Sequence, residues 1–193
     1  MIDLALEFLR DHLNASVKDP GSHEADLVNF VEGDKVGDSV SFALGTISEL
    51  LVKLEEENTL RPADPFARVS VNGEQQRVRP DIRLNLYVLF VAHFQDYKTS
   101  LQMLSKVVAY FQNHRVFTPE NSPTLSVEID QLVVELVPVP FSEQNEIWGA
   151  LRTSYRPSVL YRVRMVVFRD AEPTLQPVLK EVQIKPVRTY SPA

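Results

Sequence analysis

The sequence predicts an α+β domain: a mixed, mainly antiparallel sheet with two main helices packed on it. Three observations predict this. Apolar residues recur at helical spacing over Met1–Leu13 and again over Tyr97–His114. Ile82–Phe90 and Val159–Val167 alternate apolar residues with their neighbours, as half-buried strands do. The strand-like segments are consecutive or nearly so, instead of each being separated from the next by a helix. With 193 residues, 44% of them hydrophobic, the chain suits a single domain over 1–193. A chain of this size buries roughly 70% of the surface its unfolded form exposes, so it needs no disulfide or structural metal.

The elements follow in order. Ile2, Leu6, Leu9 and Leu13 form one stripe of the first helix, with Asp3, Glu7, Arg10 and Asn14 placed opposite. Asp3 suits the positive end of its dipole. Lys18–Ser22 and Gly33–Asp38 read as turns on either side of a short strand over Asp26–Val31. Thr46–Glu57 fits two templates. Thr46 and Glu49 make a capping-box signature with Ile47, Leu50, Leu51 and Leu54 at helical spacing, whereas Leu50, Val52 and Leu54 alternate with Leu51 and Lys53 as in a strand. Three glutamates at its C-terminal end would oppose a helix dipole, which favours the strand. Arg61–Pro80, polar and punctuated by Pro62, Pro65, Gly73 and Pro80, reads as a hairpin tip or an interaction loop.

The cleanest strand places Ile82, Leu84, Leu86, Val88 and Phe90 on one face, with Asp81, Arg83 and Asn85 opposite. Tyr87, Leu89 and Val91 make the second face apolar as well towards its end, so both faces should be covered there. In the second main helix Tyr97, Leu101, Leu104, Val108 and Phe111 form the central stripe, flanked by Met103, Val107 and Tyr110. Thr118–Pro123 is a loop. Over Val127–Val137 the apolar parity shifts, which predicts a bulge or break near Asp130. Phe141–Leu151 is a short helix with Ser142 as N-cap, Val159–Val167 a long strand and Val178–Val187 a final one.

Composition excludes several classes of function. With no Cys there are no thiolate zinc sites, iron–sulfur clusters, thiol catalysis or disulfide framework, which fits a reducing compartment. The formal charge is −6, from 20 Lys+Arg against 26 Asp+Glu. That balance argues against broad nucleic-acid or anionic-membrane binding. The N-terminus lacks the uninterrupted apolar core of a signal peptide, and no segment approaches about 20 consecutive apolar residues, so a soluble chain is expected.

Motifs for chemistry are missing too. The four histidines (12, 23, 93 and 114) have no i,i+4 pair, and there is no GxSxG, P-loop or GxGxxG; no cofactor or metal is expected. Glu55-Glu56-Glu57 could supply paired carboxylates, but on a strand only Glu55 and Glu57 share a face, and nothing signals the burial that a general acid needs. Arg162 and Arg164 share a strand face, with Arg152, Arg156 and Arg169 near in sequence. The plain reading of that cluster is cross-strand pairing with carboxylates such as Glu128 and Asp130. The alternative is charge pairing between copies in a homo-oligomer. Trp148 reads as a core or interface anchor.

Three stretches carry a family resemblance. Leu51–Arg61 resembles the strand and acidic turn of the tail-terminator, or cap, proteins of contractile injection systems of the antifeeding-prophage and Photorhabdus virulence cassette type. Leu84–Phe90, with Phe94, Tyr97, Leu101–Ser105 and Tyr110–Pro119, resembles the family's central strand, helix and loop. Ile147–Leu151 and Tyr155–Arg164 resemble its C-terminal signature. The turn Leu151–Thr153 departs from the pattern in carrying larger residues than expected. The chain ends soon after its last strand, so the expectation is that it lacks the extra C-terminal domain of longer relatives.

The resemblance implies a structural, non-enzymatic protein, assembled in the cytoplasm and built into the particle. Six copies would form a ring that docks on the last layer of inner tube, stops its growth and anchors the terminal sheath layer. Its partners would be further copies of itself and the tube and sheath proteins, with no nucleic acid and no membrane. Candidate interface residues are Glu55, Glu56, Glu57, Arg156, Arg162 and Arg164. The competing readings are a baseplate or sheath adaptor of the same particle, and a small hydrolase or carbohydrate-binding module using the acidic run.

Overall fold

The computed structural model describes residues 1–17, 26–31, 40–57, 67–71, 74–78 and 82–167. The chain divides into two compact units, Met1–Arg61 with Asp81–Arg169, and Pro62–Pro80 with Asp170–Ala193. In the second unit the described residues form an antiparallel hairpin of β3 (Ala67–Val71) and β4 (Glu74–Val78), within the segment read from sequence as a hairpin tip or loop.

The first unit holds α1 (Ile2–Val17), β1 (Val28–Phe30), β2 (Thr46–Glu56), β5 (Ile82–His93), α2 (Tyr97–Asn113), β6 (Val116–Phe117), β7 (Ile129–Leu136), α3 (Phe141–Leu151) and β8 (Ser158–Val167). Its sheet has the strand order β1-β2-β5-β8-β7-β6. Only β1 pairs in parallel, on β2; every other pair is antiparallel. This is the mixed, mainly antiparallel sheet expected. The expected turns at Lys18–Ser22 and Gly33–Asp38 and the strand at Val178–Val187 lie outside the described residues.

β5 is the central strand and is covered on both faces, as its sequence predicts. Leu86, Val88 and Phe90 enter the larger core with α1 (Ala5, Phe8, Leu9, Leu13) and α2 (Leu104, Val107, Phe111). Leu89 and Val91 enter a second core with Phe42, Leu160 and Trp148 of α3. Phe90, Phe111 and Tyr161 meet with ring centroids 4.8–5.9 Å apart, a geometry worth about 0.5–1.5 kcal/mol per pair beyond area burial. Trp148 anchors α3 through Phe42 (5.9 Å) and Tyr155 (5.4 Å).

The ambiguous segment is a strand, and Gly45, at φ 85°, opens it with its N–H on the His93 carbonyl. Two bulges set the parity of the sheet. One lies between Ile129 and Gln131 of β7, at Asp130, where the sequence places it. The other lies between Leu51 and Lys53 of β2. It reverses the alternation, so Leu54 does not continue the face of Leu50 and Val52; it pairs with Leu86 and is 48% exposed.

Both main helices are rotated from their expected faces. In α1, Ala5, Phe8 and Val17 are buried together with Leu9 and Leu13, and Asn14, expected opposite, is buried too. In α2 the buried residues are Ser100, Leu104, Val107, Tyr110 and Phe111, whereas Tyr97 and Leu101 are exposed. Helical periodicity locates a stripe to within one residue either side. Which edge of that stripe is buried depends on the neighbouring elements. Asp96 caps α2 by accepting from the Thr99 N–H at 3.1 Å, and Lys106 donates to the Val17 carbonyl at the end of α1. Ser142 is not the cap of α3. That position belongs to Pro140, with no side-chain bond, and the helix ends on Arg152 in the left-handed region (φ 52°, ψ 37°).

Glu49 of β2 is only 1% exposed, paired in register with Phe30 and Phe90. Among the described residues neither carboxylate oxygen has a hydrogen-bond partner. Burial pushes this carboxyl well above its ordinary range; Arg10 opposes the shift and Asp11 adds to it. The folded chain therefore holds a proton that the unfolded chain releases above about 4.5, the group's ordinary value. Glu49→Leu should be more stable than the parent by about 1–3 kcal/mol at neutral pH. Because the parent's proton costs more as the pH rises, the gap should widen from pH 5 upward in paired urea titrations.

Candidate functional site

α3 covers only part of the second face of the sheet. Over the remainder, a belt of polar side chains crosses four adjacent strands, and antiparallel register decides which of them meet. Arg162 of β8 stands opposite Tyr87 of β5 and Glu135 of β7, and Arg164 opposite Asn85 and Val133. On the other side of β5, Lys53 pairs with Tyr87 and Glu55 with Asn85.

Glu135 holds both arginines. Arg162 donates to Glu135 Oε2 from Nη2 at 2.6 Å and from Nε at 3.2 Å. Arg164 Nη2 lies 3.2 and 3.3 Å from the two carboxylate oxygens. The hydrogen bond from Arg162, joined by the charge of Arg164, holds the Glu135 carboxyl below its ordinary value against a smaller effect of burial. At the β2 end, Glu55 pairs with Lys53 and accepts from the Tyr87 hydroxyl at 3.0 Å. The Lys53 ammonium lies 5.2 Å from the Tyr87 ring centre. Glu57 accepts from Asn85 Nδ2 at 2.9 Å. Asn85 Oδ1 and Arg164 Nε are buried with no partner among the described residues.

The sequence-predicted residues thus fall into three places. Glu55 and Glu57 do share a face, with the exposed Glu56 between them turned away. Arg162 and Arg164 join them on that face, and the two clusters, one strand apart, form a single surface about 10 Å across. Arg156 does not belong to it. It precedes β8, six residues ahead of Arg162 in the chain, half-buried and with an unpartnered Nε among the described residues.

The carboxylate that pairs with the arginines is Glu135, and not Glu128 or Asp130. Sequence reasoning missed it together with Lys53, Asn85 and Tyr87. The signal for Glu135 was available, since it sits out of phase with Leu132, Val134 and Leu136. Its position opposite Arg162, however, depends on a register fixed by the Asp130 bulge and the loop through α3. The β2 bulge does the same for the acidic run, turning Lys53, Glu55 and Glu57 onto the second face when an unbroken alternation would aim them at the first.

The belt offers recognition chemistry. Among the described residues no group of three or more His, Asp or Glu side chains is placed to hold a metal ion, and no helix is long and apolar enough to cross a membrane. A cleft of about 630 Å³ lies beside His114, Arg115 and Asn121, away from the belt.

A curled sheet covered by two helices on one face and one on the other is the fold of tube terminators. It is similar to the PVC sheath/tube terminator of an extracellular contractile injection system in its extended state, with a TM-score of 0.58 and 16% identity, covering 100% of this chain and 65% of that one. It is also similar to the anti-feeding prophage tube-terminating cap, with a TM-score of 0.54 and 18% identity, covering 96% and 61%. The chain belongs to the Pvc16 N-terminal domain family, which it matches over residues 5–181. The resemblance carried by Leu51–Arg61, by Leu84–Phe90 with Phe94, Tyr97, Leu101–Ser105 and Tyr110–Pro119, and by Ile147–Leu151 and Tyr155–Arg164 is thereby borne out. The chain spans just under two thirds of the length of the two terminators. No protein of curated function matches its sequence.

Glu135→Gln removes the shared carboxylate. All three partners are a third or so exposed, so solvent screening limits the loss to about 0.5–1 kcal/mol at neutral pH. A carboxyl held below its ordinary value contributes stability that is present above about 4.5 and is lost as the pH falls through its folded value. The difference between parent and variant in urea titrations should therefore shrink as the pH falls below about 4.5 and in high salt.

Proposed function

We propose that the chain is a structural tube terminator of a contractile injection system, working as one domain over 1–193 and carrying out no catalysis. The observation that carries this reading is its membership of the Pvc16 N-terminal domain family over nearly its whole length, together with a fold that both terminators share. Copies of the chain close into a ring, six in number, which sits on the last layer of inner tube, ends its growth and holds the terminal sheath layer. Assembly takes place in the cytoplasm. A rigid two-core sheet suits such a part, because an end-cap has to transmit load without changing shape.

Within this reading the belt is the interface surface, with Glu55, Glu57, Arg162 and Arg164 at its centre, Glu56 exposed on the other face of β2 and Arg156 ahead of the start of β8. A half-buried row of alternating charge recognises a complementary row and rejects a like-charged one, so it fixes register more than it adds affinity. A baseplate adaptor would share the fold but bind baseplate proteins instead of tube ends.

Particles assembled without this chain should have inner tubes of unregulated length when imaged by electron microscopy; a normal length distribution would defeat the terminator reading. For the belt, exchanging the charges in place (Arg162→Glu and Arg164→Glu with Glu135→Arg) keeps the internal pairs. That variant should keep the parent's circular dichroism yet elute as a monomer by light scattering. Rings of unchanged size would remove the belt from the interface.

A further inference from the structure

The two edges of the six-stranded sheet end in the same device. On β1, the Leu27 carbonyl accepts from the Ile47 N–H, so the next residue, Val28, turns its N–H and C=O away from β2 towards the open edge. Asn14 of α1 meets both. Its Nδ2 donates to the Val28 carbonyl and its Oδ1 accepts from the Val28 N–H, each at 2.8 Å. On β6, the Arg115 carbonyl accepts from the Val134 N–H, so Val116 C=O and Thr118 N–H point outward. Asn121 meets both of these, with Nδ2 donating to Val116 at 3.0 Å and Oδ1 accepting from Thr118 at 2.9 Å. A third stretch of edge lies on β7 beyond the two residues of β6. There Leu136 stands outermost, and Pro138, two residues on, has no N–H to offer an added strand.

A side-chain amide carries one donor side and one acceptor in the geometry of a peptide group, so each asparagine takes the place that an incoming strand would occupy. An open edge is a template for any extended chain, and a protein that works in many copies at high local concentration is especially exposed to that hazard. The geometry points to Asn14 and Asn121 as edge locks: they close both ends of the sheet to strand addition. Association through the six-stranded sheet is then confined to side-chain contacts on its faces and loops, which read shape and charge.

Asn121 is exposed and Asn14 is buried, which makes Asn121→Ala the cleaner test. Hydrogen exchange should show the Thr118 amide roughly tenfold faster, the equivalent of one ordinary hydrogen bond. Sedimentation velocity over a wide concentration range should show open-ended species larger than any the parent forms, and these should bind thioflavin T. Unchanged exchange at Thr118, or faster exchange with the parent's sedimentation profile, would overturn the lock. Asn14→Ala tests the β1 edge through the Val28 amide; if that chain does not fold, Asn121→Ala decides alone. Failure of this test leaves the terminator reading intact, since tube length in particles depends on neither asparagine.

Discussion

Water has to be kept from both faces of β5, and most of the molecule follows from that constraint. Leu86, Val88 and Phe90 on one side, and Leu89 and Val91 on the other, are almost wholly buried. Exposing five such side chains would cost about 1.5–3 kcal/mol apiece, comparable in sum to the whole stability of a domain. A single layer of helices cannot cover both faces. α1 and α2 therefore share one face and α3 takes the other, anchored by Trp148. Because α3 has only 11 residues, about 16 Å of helix, it covers only part of its face. The remainder has to be compatible with water, and that is where the belt lies.

The belt is consequently a product of the same packing that makes the core. Its members are strand residues at alternate positions, held to about 5 Å between strands by the backbone ladder. Two bulges decide which alternate set faces outward. Without the irregularity at Val52, Lys53 and Glu55 would be turned onto the other face, away from Tyr87, Asn85 and the two arginines. Inside the core an unpaired charge is prohibitively costly, and Glu49 shows the consequence: it is buried without a partner among the described residues, and it avoids the charge by keeping its proton.

Much of this was legible in the residues themselves. The two-sided burial of β5 was, because alternation that becomes continuously apolar has only one economical meaning. So was the Asp130 bulge, because a parity shift within one strand needs an extra residue. The faces of α1 and α2 were misplaced for a common reason. Asn14 looked solvent-facing by type, yet its burial depends on the bare peptide of Val28, which belongs to an element 14 residues away. Tyr97 and Leu101 looked core-facing by type, yet no element among the described residues covers them.

The sequence by itself determined the fold class, the family, the central strand and the absence of thiol chemistry. The fold class, the central strand and the absence of thiol chemistry depend on composition and on local periods of 2 and 3.6, and the family on the resemblance carried by three stretches; each segment carries these alone. Only the tertiary structure decided that Glu135 would be the shared partner of Arg162 and Arg164, and that the acidic run would lie beside them. It alone decided that two asparagines would close the sheet. Each of those facts is a distance between segments remote in the chain, fixed by strand register and helix docking, and no local period encodes such a distance.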